Sequence, residues 1–524
     1  MRKLTAFLAV CAFAAVLQTS VFAQNAREQF TKIATTLLFL QDYYVDTLDY
    51  NKLGDKAVEA LVSSLDPHTV FMSRQDVESA DESMAGEFDG VGIEFAIIKD
   101  TLTVQNVING GPADKVGLQT GDKIVKVDTV SLSGPWLTNT RVRELLRGKR
   151  GSRVNVEVMR RGVPGTRKYT ITRDRIPMES VVAVYEAAPG VVYVKLSRFA
   201  ANTGQEVFDA IRSLGSMPEG VILDLRGNGG GLLNSALTVS NMFLSKGQVI
   251  VYTEGARVRR RDEYASGNGI YQKDPLVIMV DENSASASEI VAGAVQDWDR
   301  GVIVGRRTFG KGLVQRELHY SDGSALRITT ARYHTPSGRV IQSPYEEGNS
   351  EKYYQEHNER YVRGESFSRD SIKFDESQQF KTLVKGRTVY GGGGIMPDVF
   401  VPRDTSYLSD FYSALAARGI LQEFVNDYMD TRRAEMRQHY SSWRTLMADP
   451  AVDAVFDDFV EYTREQGMDP SEEDINKSSA EIKLAMKALM ARAIWDENVY
   501  YAVINSESAD YKAALDEVLA LRAR

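Results

Sequence analysis

Apolar and polar positions change their period several times along this chain. Between residues 24 and about 85 they recur at helical spacing: Phe30, Ile33, Leu37, Leu38 and Leu40 form one stripe. Leu53, Ala57, Leu61 and Val62 form a second within 52–65, which Asp66-Pro67 ends. From about 86 to 175 the pattern turns to short β-branched runs (91–95, 102–107, 123–127 and 154–158) separated by Gly and Asp turns. One helix-like stretch at 140–146 interrupts them, and the whole predicts a small β-rich module.

From about 176 to 342 strand-like and helix-like runs alternate: strand 190–196, helix 203–214, strand 221–225, a glycine-rich turn, a helix from about Asn234, strand 276–280, helix 285–298 and strand 302–304. That order predicts an α/β core around a largely parallel sheet. Pro344 to Lys385 is polar, charged and aromatic without clear period, and reads as an insertion or long surface excursion. Gly391 to Gly394 and Pro397 read as a hinge into 399–401. From about Thr405 to the end the helical pattern returns, with a helix start at Pro470-Ser-Glu-Glu473 and Ile482, Met486, Met490 and Ile494 on one face.

A chain of 524 residues is too long for one core, so several domains are expected. Its 43% hydrophobic and 26% charged residues are those of a soluble globular protein, and a net charge of -8 speaks against nucleic-acid binding. Residues 1–23 read as a secretory signal: Arg2 and Lys3, an uncharged apolar run at 4–16, then Val21-Phe-Ala23 before Gln24. The expected location is therefore periplasmic, or membrane-associated on the outer face if the leader is kept as an anchor. Cys11, the only cysteine, lies in that leader. A chain starting at Gln24 has no disulfide, no thiolate metal site and no cysteine nucleophile. No cofactor and no metal is expected.

The candidate chemistry lies in two short motifs. Asp281-Glu-Asn-Ser-Ala-Ser-Ala-Ser-Glu289 falls between a strand-like and a helix-like run, and Phe309-Gly-Lys-Gly-Leu-Val-Gln315 follows, with Lys311 25 residues after Ser286. A serine needs a base, and none of the five histidines lies in a serine-elbow pattern. Lysine can serve if burial disfavours its ammonium form. Gly310 and Gly312 let the backbone around Lys311 pack tightly, and Gln315 falls on the same face of an extended segment. A serine at a helix N-terminus meets N–H groups that favour developing negative charge. Asp224-Leu-Arg-Gly-Asn-Gly-Gly-Gly231 adds a glycine-rich turn, with Gly230 and Gly231 as candidate oxyanion donors beside the N–H of Ala287. Each motif also has a plainer reading: the serines as a helix cap, Gly-Lys-Gly as a turn, the glycines as a phosphate cradle. The P-loop spacing of 305–311 fails at Gly312, where Ser or Thr should hold magnesium, and a strand-like run follows. Spacing alone leaves Ser284, Ser286 and Ser288 open as nucleophile.

From about Gln29 to Pro402 these motifs resemble the C-terminal processing proteases, also called tail-specific proteases. The resemblance implies Ser286 as nucleophile, Lys311 as general base and Gln315 as its assistant, and it matches the Asp224–Gly231 turn, 330–339 and Gly394-Ile-Met-Pro-Asp398. Where relatives often carry a second tyrosine, this chain has His334. The β-rich module then looks like a PDZ domain, which implies that Gly90, Val91, Gly92 and Ile93 hold a substrate's terminal carboxylate. Ser63-Ser-Leu-Asp-Pro-His68 resembles the lead-in to that domain, and Arg147 is a candidate link between PDZ and protease parts. The expected organisation is a signal at 1–23, a helical segment at 24–85, a PDZ domain at 86–175, an α/β protease core at 176–402 with an insertion at about 344–385, and a C-terminal helical domain at 403–524. The expected activity is that of a secreted serine endopeptidase on proteins or peptides with unstructured C-termini. The alternatives are an inactive PDZ scaffold and, for the C-terminal helices, a partner-binding adaptor. Amphipathic terminal helices make a homodimer plausible.

Overall fold

The computed structural model describes residues 27–98, 100–134, 136–160 and 162–524, so the leader expected at 1–23 lies outside the described residues. The chain forms two compact units, one ending at Leu65 and one running from Asp66 to Arg524. The first is helical over 27–43 and again at Tyr50–Val62, where the Asp49 side chain caps the helix by accepting from Asn51 N and Lys52 N. Phe30, Leu38, Phe39 and Tyr43 are exposed. None of the described helices is long and apolar enough to cross a membrane.

The second unit is built on a six-stranded sheet in the order Val181–Ala188, Val191–Leu196, Gly220–Asp224, Leu276–Val280, Val302–Gly305, Val399–Phe400. The first pairing is antiparallel and the other four are parallel. Three of these strands are buried at every residue, which requires cover on both faces. On one face pack the helices Thr203–Ile211, Leu233–Phe243 and Ala287–Asp297. The other face is closed by the end of the chain: helix Ala509–Arg522 sets Tyr511, Ala514 and Val518 against Tyr193, Ile222, Val277 and Met279. The expected C-terminal helical domain is therefore not wholly separate. Helices between Asp410 and Glu507 have their own core, while the last helix is a layer of the α/β fold.

The expectation of a largely parallel core sheet needs correction. Beside the mixed sheet stands a five-stranded one, antiparallel throughout, made of Val70–Met72, Ala325–His334, Val249–Gly255, Val258–Tyr264 and Leu313–His319. Its strands 249–255 with 258–264, and 313–319 with 325–334, are joined by short turns, and a short turn can only return a strand antiparallel. The strand at 70–72 is too short to show a period.

The β-rich module is an antiparallel sheet ordered Ile93–Ile98, Thr101–Val107, Lys123–Val127, Arg153–Met159, Thr166–Thr172, with helix Asn139–Leu146. Leu102, Ile124, Val156 and Ile171 are fully buried in its core. Strand Ile93–Ile98 is an edge strand. The chain enters and leaves through Glu87–Gly90 and Asp174–Pro177, which pair with each other.

The stretch from 344 to 385, expected as an insertion or long surface excursion, is mostly exposed but not irregular. It forms helix Ser350–Val362, which buries Tyr353 and Arg360. The Arg360 guanidinium donates to the carbonyls of Thr308 (3.2 Å) and Phe309 (3.3 Å) and to Glu365 Oε2 (3.2 Å). Its inner face is Tyr, His and Arg rather than aliphatic, so it carries no apolar period.

Candidate active site

Three turns leave the carboxyl ends of adjacent parallel strands, the place where open α/β sheets form clefts. They are 225–231 after Gly220–Asp224, 281–286 after Leu276–Val280 and 306–312 after Val302–Gly305. Hydrogen bonds stitch them together. Ala285 N donates to Asn228 O (3.0 Å), Gly227 N to Asp281 Oδ1 (2.9 Å) and Phe309 N to Ser284 O (3.0 Å). The Ser284 hydroxyl donates to Leu225 O and the Ser288 hydroxyl to Asn228 O, both at 2.8 Å, and both serines are fully buried. Of the three serines left open by spacing, only Ser286 lines the cavity, a cleft of about 670 Å³ whose wall also includes Gly230, Gly231, Lys311, Gln315 and Arg327.

Ser286 has φ 54° and ψ -109°, a positive-φ conformation that is costly outside glycine. Two contacts hold it there. Gly230 (φ 100°) presses so close that an added Cβ would lie 2.8 Å from Ser286 Cβ, so no other residue fits. The Ser286 N–H donates to Glu289 Oε2 at 2.8 Å.

Glu289 is fully buried and is the hub of the site. Oε2 accepts from Ser286 N and Lys311 N (2.9 Å), and Oε1 accepts from Thr308 Oγ1 (2.5 Å) and Gly310 N (2.7 Å). Burial pushes its pKa up to about 7, against the pull of these four donors. Sequence reasoning passed over Glu289, although a glutamate three residues after a serine at a helix start is the capping-box signature that points to it.

Burial lowers the Lys311 pKa, and the nearby Arg327 guanidinium pushes the same way against Glu289 and Asp66. Gln315 lines the same cavity, but its amide Nε2 donates to His68 O, and a bulge between Val314 and Gln315 breaks the regular alternation of the strand. The His68 segment is itself anchored. Asp66 accepts from His68 N and Thr69 N (both 3.0 Å) and from Thr329 Oγ1 (2.8 Å), which ties it to the strand beside Gln315. Burial, with Lys311 close by, lowers His68 to about 4 and leaves it neutral at pH 7. Its ring meets Tyr353 edge-on at 5.3 Å, and His357 stacks on Phe309 at 4.0 Å, so aromatic rings back the lysine turn. His334 instead stacks on Tyr252 (4.4 Å).

Among the candidate oxyanion donors, the Gly230 N–H is already donated to Asn228 Oδ1 (2.9 Å). In the β-rich module, Gly90 pairs with Asp174, Val91 O accepts from Ala113 N (2.8 Å) and Gly92 O from Ile108 N (3.0 Å). Gly92 (φ 79°) lies where a Cβ would meet Ile176 and Pro112 at 3.2 Å, and Ile93 opens the edge strand. Arg147 lies over Phe88 (4.5 Å) and pairs with Glu82, on a helix, Arg74–Ala85, that also lines the cavity.

Residues 190–347 match the model of peptidase family S41, 90–169 match the PDZ domain, and 411–496 match a family of unknown function. The carboxy-terminal-processing protease of Bartonella bacilliformis is 36% identical over 327 residues, covering 61% of this chain and 74% of the relative. The chain belongs to the carboxy-terminal processing proteases. The carboxyl-terminal-processing protease of Synechocystis is 35% identical over 292 residues, 54% of this chain and 67% of that one. A solved photosystem II D1 C-terminal processing protease is 29% identical over 73% of this chain and 89% of its own, with a TM-score of 0.37. In this member of the family the serine peptidase core, the PDZ domain and the helical C-terminal segment all lie on one chain.

Both carboxylate oxygens of Glu289 must accept. In Glu289→Gln the NH2 group would face either the Ser286 and Lys311 N–H groups or, with the amide turned round, the Gly310 N–H, leaving at least one backbone donor without an acceptor at about 1–3 kcal/mol. Thermal unfolding is expected to show a lowered Tm, and peptidase assays a large loss of kcat. An unchanged Tm would rule out the hub.

Proposed function

We propose that this protein is an exported serine endopeptidase that recognises unstructured C-terminal tails through its PDZ domain and cleaves by a Ser286–Lys311 dyad. One observation carries the reading: Ser286 and Lys311 line the same cleft, while the neighbouring serines spend their hydroxyls on buried carbonyls. Ser286 Oγ attacks the scissile carbonyl carbon as neutral Lys311 takes its proton. The oxyanion is held by the N–H groups of Gly231 and Ala287, since that of Gly230 is spent on Asn228. Lys311 returns the proton to the leaving amine, and water then releases the acyl group. Gln315 positions the lysine: its NH2 is fixed on His68 O, which leaves its oxygen for the ammonium. A substrate tail adds as a strand to the Ile93–Ile98 edge, with its carboxylate on the Gly90–Ile93 loop. Export through the leader at 1–23 belongs to the same reading, and so do the module limits at 86–175, 176–402 and 403–524, with the last helix of the third module completing the second.

Ser286→Ala and Lys311→Ala are each expected to cut turnover of an unfolded protein substrate by at least about a thousandfold. Full cleavage by either variant would sink the dyad. Labelling of Ser286 by a fluorophosphonate separates the enzyme from an inactive PDZ scaffold, which would not react.

The base is the neutral amine, so kcat/KM should fall about tenfold per pH unit below the Lys311 pKa. Because that pKa is lowered, the break should lie below the ordinary lysine range. A rate profile flat down to pH 5 would contradict a lysine base.

The exposed Phe30, Leu38, Phe39 and Tyr43 of the N-terminal helix support a homodimer through that element. Sedimentation velocity on the leaderless chain should give twice the chain mass, falling to one with Phe39→Glu. A monomer at micromolar concentration would reject it.

A further inference from the structure

The last helix of the chain reaches two of these three turns from behind. Ser508 caps helix Ala509–Arg522, and Asp510 stands in its first turn. Asp510 Oδ1 and Oδ2 accept from Arg306 Nη1 at 2.9 and 3.0 Å, and Oδ2 accepts from Arg226 Nη1 at 3.3 Å. Arg306 opens the lysine turn, and Arg226 lies in the glycine-rich turn that carries Gly231. Each arginine has a second anchor on the protease side. Arg306 Nε donates to Glu282 Oε2 (2.8 Å), four residues before Ser286, and Arg226 Nη2 donates to Asp224 Oδ2 (2.7 Å). Asn505 Oδ1 and the Ser508 hydroxyl accept from the remaining Arg226 donors at 3.1 and 3.2 Å.

Side chains of Arg306 and Asp510 are each only 11% exposed. A carboxylate shared by two arginines in that setting fixes their separation, because losing it leaves two buried cations facing each other. The distance so fixed is the one between the glycine-rich turn and the lysine turn.

We propose that Asp510 is a positioning residue for the peptidase reaction. Through it, the C-terminal helix sets the spacing between the oxyanion-side turn and the Lys311 turn. The segment that adds this helix also touches the PDZ domain, where Asn426 Nδ2 donates to Gln105 Oε1 (2.6 Å), so it spans binding module and catalytic turns. The proposal rests on the Ser286–Lys311 reading for its catalytic consequence, but not for the clamp itself.

Two readouts on the full chain test it. Hydrogen exchange reads the clamp without catalysis: Asp510→Asn is expected to raise amide exchange in 225–231 and 306–312 at least about tenfold while helices within 411–494 stay unchanged. Steady-state kinetics on an unfolded protein substrate should show kcat down at least about tenfold with KM unchanged, since a displacement of about 1 Å can cost that much and more. Asp510→Glu keeps the charge on a longer arm and should fall between the two; it replaces the asparagine variant if that one does not fold. Val518→Ala is the control, because Val518 packs against the sheet far from the charges. It should lower Tm yet leave kcat and turn exchange unchanged. Wild-type exchange in the Asp510 variant, or an equal loss of kcat in Val518→Ala, overturns the proposal. Cleavage by Ser286→Ala would instead overturn the dyad and leave the exchange result standing.

Discussion

One buried carboxylate holds the site together. Glu289 gathers donors from the serine turn and the lysine turn, two segments that leave different strands, and adds four bonds to the Phe309–Ser284 and Arg306–Glu282 links between them. It holds Ser286 in a backbone conformation that an isolated chain would avoid, and it seats the backbone of Lys311 at the same time. Burial pushes this group up to about 7 even against the pull of four donors, so its charge and its bonds depend on each other. A serine and a lysine are weak partners in water. They become useful when the lysine is desolvated and the serine cannot drift, and one side chain contributes to both.

Asp510 plays the complementary part on the back of the sheet. Glu289 sets the serine turn against the lysine turn from within, and Asp510 sets the lysine turn against the glycine-rich turn from outside. Between them all three turns are referenced to each other. Tyr511 and Ala514, within the first turn and a half of that helix, pack on the sheet beside the clamp and give it a stiff seat, which it needs if it is to transmit position rather than swing with a tail.

Much of this was legible in the chain. The three strands buried at every residue appear as apolar runs broken only by Lys195 and Asp224, and the helix at 472–494 appears with its cap at Ser471. The dyad candidates were legible too, because small residues around a reactive one leave a local mark. The rest hid for physical reasons. The choice of Ser286 over Ser284 and Ser288 depends on which carbonyls lie across the turn, a property of other strands. Helix Ser350–Val362 packs with Tyr353 and Arg360, so its buried face carries no aliphatic stripe. Asp510 lies 204 residues from its partner Arg306, and no local pattern can announce that pair.

The helix Arg74–Ala85 shows how binding and chemistry can share a part. Ala80, Ser83 and Met84 recur three and four apart and line the cleft that holds Ser286 and Lys311. Glu82 points off that face and pairs with Arg147, which follows the PDZ helix Asn139–Leu146. A single helix cannot move one face without the other. Burial raises the Glu82 pKa while Arg147 pulls it down, so separating the pair would leave a half-buried carboxyl without its cation. Any displacement of the PDZ domain that pulls Arg147 away must therefore either shift this helix, and with it the cleft wall, or leave Glu82 unpaired. The second course carries a cost that the first avoids, and the Arg147–Glu82 ion pair thus ties the PDZ domain to the helix that walls the cleft.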